Sequence, residues 1–217
     1  MGALAEIDRS GRFAPAPDST EERVLDALLD CIGRWGIAKT TAEDIARAAG
    51  ISRATLYRTF PGGKDVVVDA LVRHETARFF RVVSARLDRA ATVDDVVTIG
   101  IVEAARFLAG HRALGYLLRH EPDRVLPAFA FHRLDRVLAI ATDFAAPHLR
   151  RFLADDHTAA VRAEWVVRVL LSYVVNPSPE LDLTDEADVR RFVATYLVPV
   201  LVTHPDPNPA ANAPKER

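Results

Sequence analysis

The sequence has a single cysteine, almost no net charge and no long apolar run. Cys31 is the one cysteine among 217 residues, so neither an intrachain disulfide nor a cysteine-based metal cluster can form. Neither sign of charge is in large excess, because 28 basic and 30 acidic side chains leave a formal net charge of only −2. No uninterrupted apolar run is long enough to span a bilayer, and the chain begins with no secretory leader pattern. We therefore expect a cytoplasmic protein without a membrane partner, whose contacts with any polyanion depend on local placement of basic groups.

The short motifs of common enzymes are absent as well. The sequence contains no glycine-rich dinucleotide fingerprint, no phosphate-binding P-loop, no nucleophile elbow and no HExxH pair. The histidines are scattered, and His74, His111 and His120 would have to converge from three predicted helices to hold a metal ion. We therefore predict a protein that is not an enzyme and that has neither a cofactor nor a metal site.

What the sequence does contain is helical periodicity from end to end. Apolar residues recur at spacings of three and four, and no stretch alternates as a strand does. We predict an all-α protein with helices over residues 19–35, 42–49, 53–59, 65–90, 92–110, 113–120, 128–144, 158–175 and 184–202. Pro147 either kinks the seventh of these helices or begins a new one. Cys31 and Trp35 fall among the apolar positions of the first helix, and both are expected to lie in the core.

One stretch, residues 40–64, has the spacing of a helix-turn-helix. Thr41 is placed to cap one helix and Ser52 the next, since each hydroxyl can accept from an amide one turn on. Ala46 is small enough for close helix packing, Gly50 suits the sharp turn, and Leu56 fills the angle between the helices. The outer face of the second helix then combines small, hydroxyl, aromatic and guanidinium side chains, at Arg53, Ala54, Thr55, Tyr57 and Arg58. Such a face suits the major groove of DNA.

The same stretch resembles the TetR family of one-component bacterial transcription regulators. The resemblance spans residues 24–71 and rests on Thr41, Ile45, Ala46 and Ala49–Ser52, then on Thr55–Pro61 and Lys64–Asp65. One difference is visible, since Pro61-Gly62-Gly63 places one more small residue before Lys64 than the family's commoner pattern has.

The resemblance implies a DNA-binding role for particular residues. By motif position Arg53 and Thr55 would read base edges, and Tyr57 and Arg58 would touch bases or backbone. Phosphate contacts would come from three residues near helix ends, Lys39, Thr41 and Lys64. The complete predicted DNA-binding set is Lys39, Thr41, Ser52, Arg53, Ala54, Thr55, Tyr57, Arg58 and Lys64.

The resemblance also implies a ligand-binding and dimerising C-terminal half. The partners it implies are a double-stranded, palindromic DNA operator, a second copy of the chain, and a small-molecule effector that is apolar, given the few charges expected inside the bundle. The candidate ligand-binding residues are the aromatic side chains Phe79, Phe107, Tyr116, Phe129, Phe131 and Trp165, each of which also suits the core of a helical bundle.

Four segments follow from these predictions. Residues 1–18 form a disordered arm, residues 19–64 a helix-turn-helix domain, residues 65–203 an effector-binding and dimerisation domain, and residues 204–217 a disordered tail. A second hypothesis stays open at this point, because the charge of residues 19–75 is nearly balanced. It is a helical ligand- or partner-binding protein whose degenerate helix-turn-helix no longer binds DNA.

Overall fold

The computed structural model describes residues 18–121, 123, 131–153 and 155–203, and throughout these ranges the regular elements are helical. The predicted arm up to residue 17, the predicted tail from residue 204, and Phe129 lie outside the described residues, as does the side chain of Phe131. The helices are α1 (Thr20–Lys39), α2 (Ala42–Ala48), α3 (Arg53–Thr59), α4 (Lys64–Leu87), α5 (Val93–Gly110), α6 (Arg112–His120), α7 (Phe131–Arg150), α8 (Asp156–Val175), α9 (Glu186–Phe192) and α10 (Val198–Thr203). A π-helical turn, Val193–Leu197, joins α9 to α10.

Helix α1 begins as the sequence predicts and ends differently. The Ser19 hydroxyl accepts a hydrogen bond from the amide of Glu22 and so caps the helix. Gly36 breaks the helical path with φ +82°, but one further turn follows it, so the helix ends at Lys39 rather than before the glycine. Cys31 is buried as expected, whereas Trp35 is 44 % exposed, and its prediction as a core residue is wrong. A half-exposed indole at a helix end is not unusual, because apolar atoms make up much of any protein surface.

The helix-turn-helix has the predicted bounds to within one residue. Thr41 and Asp44 form a reciprocal capping box at the start of α2. Gly50 turns the chain with φ +67°, and the Ile51 amide closes the turn on the Ala46 carbonyl at 3.0 Å. Leu56 is fully buried in the angle between the helices. The core beneath α2 and α3 is built from apolar side chains of α1, α2 and α4, among them Leu25, Leu28, Ile45 and Val67.

The chain divides into two compact units. The first contains residues 1–85 and 106–134, and the second contains residues 86–105 and 135–217. The first unit therefore includes most of α4, the end of α5 and all of α6 in addition to the helix-turn-helix. The boundary predicted after residue 64 does not coincide with this division, because α6 packs along α1, a contact between segments far apart in the sequence.

The second unit resolves the alternatives at its prolines. Helix α7 continues through Pro147 to Arg150, so Pro147 does not begin a new helix. The predicted last helix is interrupted by the π-helical turn, in which the Val198 amide bonds the Val193 carbonyl. Pro199 follows directly, and a proline ring has no amide proton and clashes with the carbonyl four residues earlier. A wider turn before Pro199 relieves that clash.

Hydrogen bonds and an ion pair of two arginine side chains connect segments of this unit that are distant in the sequence. The Arg151 guanidinium donates to the carbonyls of Leu87 and Ala90 at 3.3 and 3.1 Å, and Arg190 pairs with Asp95 at 3.0 Å.

Across the described ranges, helices long and apolar enough to cross a membrane are absent.

Candidate nucleic-acid interface

Helix α3 is held rigidly by its own first turn and by the core. The Ser52 hydroxyl accepts from the Thr55 amide at 3.0 Å, and the Ser52 and Thr55 hydroxyls share a second hydrogen bond of 2.9 Å. At the other end, the Phe60 ring is buried and its amide bonds the Leu56 carbonyl at 2.8 Å. Because the inner face is fixed at both ends, the outer face presents its side chains in a defined orientation.

The outer face is exposed as the sequence predicts. Arg53, Ala54 and Arg58 are exposed, Thr55 is half-buried, and Tyr57 is 40 % exposed. The Arg53 guanidinium carbon lies 5.5 Å from the centre of the Tyr57 ring, within the range of a cation–π contact. This contact orients the predicted base-reading guanidinium over the surface of α3.

The Tyr57 ring is held on its second side by a glycine. Gly63 has φ +68°, and a Cβ atom at this position would lie 2.8 Å from Cε1 of Tyr57. Only glycine therefore lets the ring rest on the turn between α3 and α4. The glycine directly before Lys64 therefore leaves room for the ring of a predicted DNA-binding residue.

Lys39 and Thr41 lie at the end of α1 and the start of α2. Both are exposed. The Thr41 hydroxyl donates to Asp44 at 2.6 Å while accepting from its amide at 3.2 Å, and the hydrogen bonds from Thr41 lower the pKa of the Asp44 carboxyl. The two residues flank the N-terminus of α2, where amides and the helix dipole favour an anion such as phosphate.

Lys64 occupies a place that the sequence did not indicate. Its Nζ atom donates to the carbonyl of Ile37 at 2.6 Å, in a half-buried position that ties the start of α4 to the end of α1. An ammonium group has three donors, so this bond leaves two available to a phosphate. The structure thus assigns Lys64 a bracing contact, and its phosphate contact stays a prediction.

The acidic residues that balance the charge of this region are engaged locally. Arg47 pairs with Glu43 at 3.4 Å and with Asp44 at 3.5 Å along the exposed side of α2. In contrast, Lys39 and Arg58 form no ion pair with any residue that the structure describes. Their positive charge stays available to a polyanion although the net charge of the whole chain is slightly negative.

The predicted ligand-binding aromatics separate into groups. Phe79 and Phe107 are in contact, with ring centres 5.0 Å apart. Tyr116 stands elsewhere in the first unit, stacked on His120 at 4.5 Å. Trp165 is half-buried in the second unit. Among the four predicted residues whose side chains the structure describes, it therefore brings together one pair, Phe79 and Phe107.

The Phe107 ring also lines a half-open cleft of about 300 Å³ in the first unit. The cleft combines few apolar groups with several charged ones, and it is bounded by Leu29, Asp30, Gly33, Glu75, Arg78, Arg106, Phe107, Gly110, His111 and Arg112. Its apolar part is formed by Leu29 and Phe107. Sequence reasoning identified Phe107 but none of the charged residues around it.

Glu75 is the electrostatic centre of this cleft. Burial by itself raises the pKa of its carboxyl, but a hydrogen bond from His111 and the charge of Arg78 outweigh burial and leave the pKa below its ordinary value. The Nε2 atom of His111 lies 3.3 Å from Glu75, while Nδ1 accepts from the Leu114 amide at 3.1 Å and caps α6. Accepting at Nδ1 places the imidazole proton on Nε2, directed at the carboxylate.

Two residues near the DNA-facing surface were missed by the sequence reasoning. Thr40 is buried, and its hydroxyl donates to the Gly36 carbonyl at 2.6 Å. Glu121, at the end of α6, accepts from the amide of Ala38 with both carboxylate oxygens at 3.2 Å. Thr40 bonds a residue only four positions away, so its contact could have been considered from the sequence. Glu121 is 83 residues from its partner, and no sequence pattern indicates that contact.

Comparisons with known proteins agree with this geometry. The sequence model described as "Bacterial regulatory proteins, tetR family" matches residues 24–71. An uncharacterized HTH-type transcriptional regulator of Mycobacterium tuberculosis is 30 % identical over 181 residues, which cover 83 % of this chain and 84 % of that protein. The chain belongs to the TetR family. It is accordingly a DNA-binding transcriptional regulator, and α3 lies within the residues that the family model matches.

Further similarities extend over most of this TetR-family chain. The HTH-type transcriptional regulator AlkX of M. tuberculosis is 29 % identical over 188 residues, covering 81 % of this chain and 83 % of AlkX. Among solved structures, the TetR family repressor AlkX from Dietzia superposes with a TM-score of 0.57 at 23 % identity, over 86 % of this chain and all of that one. The regulator FadR from Bacillus subtilis, solved with stearoyl-CoA, gives a TM-score of 0.51 at 16 % identity, over 85 % and 99 % of the two chains. The two structures share the fold of this TetR-family member.

Proposed function

We propose that this regulator is a repressor that binds a palindromic operator as a homodimer and releases it when a small apolar effector binds. The observation that carries the proposal is the exposed, rigidly held outer face of α3, with unpaired cations at Lys39 and Arg58 beside it. One recognition helix reads about half of an operator site, so a two-fold dimer is needed to read a palindrome. In this proposal residues 19–64 contact DNA, and residues 65–203 receive the effector and form the dimer.

A row of three aromatic side chains in the second unit, one of them exposed, supports the dimer. Tyr173 and Phe192 meet edge to face at 5.3 Å, and the ring of Phe192 lies 5.5 Å from Tyr196. Tyr196 is 64 % exposed and Val202 is 61 % exposed. Both lie in the helical segment formed by the π-helical turn and α10. Large apolar side chains exposed along one helical segment are typical of a surface that another protein covers. A second copy packing these helices into a four-helix bundle would bury them.

The apolar character of the effector rests on the Phe79–Phe107 pair and on the relatives. The Dietzia AlkX repressor is implicated in biodegradation of n-alkanes, and the B. subtilis FadR structure holds stearoyl-CoA. Both molecules contain alkyl chains, which bind where aromatic and aliphatic groups can exclude water. The lining of the cleft beside Phe107 includes such groups together with charged ones. We accordingly propose an effector with an alkyl chain for this regulator.

Release of the operator would follow from a shift between two arrangements of the dimer. The recognition helices of a dimer must meet successive major grooves about 34 Å apart. An effector that binds more tightly to a dimer with a different spacing draws the population away from DNA, and it can do so only to the extent of its differential affinity. An effector with equal affinity for free and operator-bound protein would contradict this mechanism.

The first experiment is a binding titration with DNA from upstream of the protein's own gene. Fluorescence anisotropy measures the binding, and the titration is repeated across a range of salt concentrations. Random DNA serves as the competitor. Arg53→Ala should reduce the preference for the operator over random DNA, because a bidentate contact to guanine is worth about 1–3 kcal/mol. Lys64→Ala should weaken binding to both DNAs alike and reduce the salt slope by about one.

The two variants act as controls for each other. If Arg53→Ala and Lys64→Ala change operator and random DNA binding in the same way, the assigned roles are wrong. If the unaltered protein binds upstream DNA no more tightly than random DNA, a genome-wide selection of bound fragments distinguishes a distant operator from a helix-turn-helix that does not bind DNA.

A further inference from the structure

A carboxylate from α6 holds the last turn of α1. Both oxygens of Glu121 accept from the Ala38 amide at 3.2 Å. Ala38 lies just after the break at Gly36, and the first amides after such a break have no acceptor within their own helix. Glu121 supplies the acceptor from a helix that packs along α1.

Gly36 provides the room for this contact. A Cβ atom on residue 36 would lie 1.9 Å from Oε1 of Glu121 and 2.8 Å from Cε1 of Tyr116. The glycine therefore satisfies two needs at once, the positive φ of the break and the space for the carboxylate. The close fit fixes where the end of α6 sits against α1.

The fixed segment leads directly to the predicted phosphate-binding residues. The short corner of residues 37–41, which we call the α1–α2 corner, is tied at three further points. The Ile37 carbonyl accepts from Lys64, the Thr40 hydroxyl donates to the Gly36 carbonyl, and Thr41 caps α2. Lys39 lies in this corner, one residue beyond the amide that Glu121 holds.

We propose that Glu121 is a positioning residue for operator binding. It contacts no DNA itself, and it orients the α1–α2 corner so that Lys39 and Thr41 face the phosphates of the operator. This inference rests on the phosphate-binding role that the proposed function gives to Lys39 and Thr41. The contact also connects the end of α6 to the predicted DNA-binding surface, although α6 lies far along the chain from the helix-turn-helix.

Charge alone gives the opposite expectation, which makes the inference testable. A carboxylate near a DNA-binding surface repels phosphate, so removing it should strengthen binding if repulsion were its main effect. Loss of positioning should weaken binding, since the corner would no longer hold its basic and hydroxyl groups in place. The sign of the change therefore separates the two effects.

The experiment compares Glu121→Ala and Glu121→Gln with the full-length protein in the operator titration, across salt and with random DNA as competitor. Glu121→Ala should weaken operator binding about tenfold, because Lys39 would no longer be held in place for its proposed phosphate contact. It should also lower the salt slope by about one, the value expected for one lost phosphate contact. Glu121→Gln should lie between Glu121→Ala and the unaltered protein, because its amide oxygen still accepts from Ala38. Glu180→Ala, an exposed acid in the second unit, is the charge-matched control and should change nothing.

Binding at or above the affinity of the unaltered protein, with an unchanged salt slope, would overturn the inference. The thermal midpoint of each variant is measured first, and if Glu121→Ala is unfolded at the assay temperature the result for Glu121→Gln decides by the same criteria. Lys39→Ala tests the proposed phosphate contact separately. An unchanged salt slope in Lys39→Ala removes Lys39 from the proposed function, whereas the response of Glu121→Ala alone decides whether the α1–α2 corner is positioned from α6.

Discussion

Two glycines of this protein have positive φ angles and very different surroundings, and replacing each by alanine should distinguish the cost of the backbone conformation from the cost of a displaced contact. Gly36 has φ +82° and Gly50 has φ +67°. A Cβ atom at Gly50 meets no atom within 4 Å, whereas at Gly36 it meets the Glu121 carboxylate at 1.9 Å and the Tyr116 ring at 2.8 Å. Gly50→Ala should therefore report the backbone term alone.

The magnitudes follow from these contacts. Placing an L residue in the left-handed region costs about 1–2 kcal/mol, and the lower chain entropy of unfolded alanine returns about 0.5–1 kcal/mol, so Gly50→Ala should lower the free energy of unfolding by about 1 kcal/mol. At Gly36 the combination of φ +82° and ψ 169° is essentially restricted to glycine, so the backbone cost for alanine is higher, about 1–3 kcal/mol. The new methyl group also displaces the Glu121 carboxylate from an exposed hydrogen bond, which adds about 0.5–1.5 kcal/mol. In a protein of this size, each kcal/mol lowers the thermal midpoint by about 2–4 °C.

Chemical denaturation with urea, followed by circular dichroism, measures both variants, and a double-mutant cycle locates the excess. In a Glu121→Ala background, Gly36→Ala should cost less than in the unaltered protein, because the carboxylate that the new methyl group displaces is already gone. Equal costs for Gly36→Ala and Gly50→Ala, or an excess that persists undiminished without Glu121, would refute the reasoning.

Three further predictions concern a cap, a titrating carboxyl and the dimer. Ser52→Ala should cost about 1 kcal/mol in urea unfolding and also weaken operator binding, whereas Ser19→Ala, which removes the cap of α1, should cost a similar amount and leave operator binding unchanged; parallel losses of affinity would contradict the assignment. Glu75 has a lowered pKa in the folded protein, since the hydrogen bond and charges around it outweigh burial, so its stabilising contribution is present above the ordinary carboxyl range and is lost as the pH falls through the folded-state pKa. Urea midpoints measured against pH should show a shallower acid-side loss in Glu75→Gln, and an unchanged acid limb would argue against this. Tyr196→Glu should shift sedimentation from dimer to monomer, whereas Val82→Glu, which is also an exposed apolar position, should not; a monomeric unaltered protein would remove the proposed interface.

Local sequence patterns explain why the bounds and caps of the helix-turn-helix could be predicted to within one residue. Ser19, Thr41 and Ser52 each cap a helix through an amide three residues on, and such a contact depends only on neighbouring residues. The turn at Gly50 and the buried Leu56 follow from the same short-range spacing. The exposure of Arg53 and Tyr57 then follows, because burying one face of a short helix leaves the opposite face outside.

The predictions that failed or went untested concern packing partners. The burial of Trp35 was expected from its place in an apolar stripe, but the stripe ends at the kink, where the helix direction changes. The pairing of Phe79 with Phe107, and the separation of Tyr116 from both, depend on how α4, α5 and α6 meet. Helical periodicity states which side of a helix is apolar, but it does not state which other helix covers that side.

The sequence by itself determined the helical class of this protein, the bounds of its helix-turn-helix, the caps at Thr41 and Ser52 and its family, because each of these depends on residues within a few positions of one another. Only the tertiary structure decided that Lys64 braces Ile37, that Glu121 holds Ala38 in the space left by Gly36, and that His111 and Glu75 share a cleft. These contacts join segments between 27 and 83 residues apart. They depend on the directions in which whole helices pack, which short-range spacing does not encode.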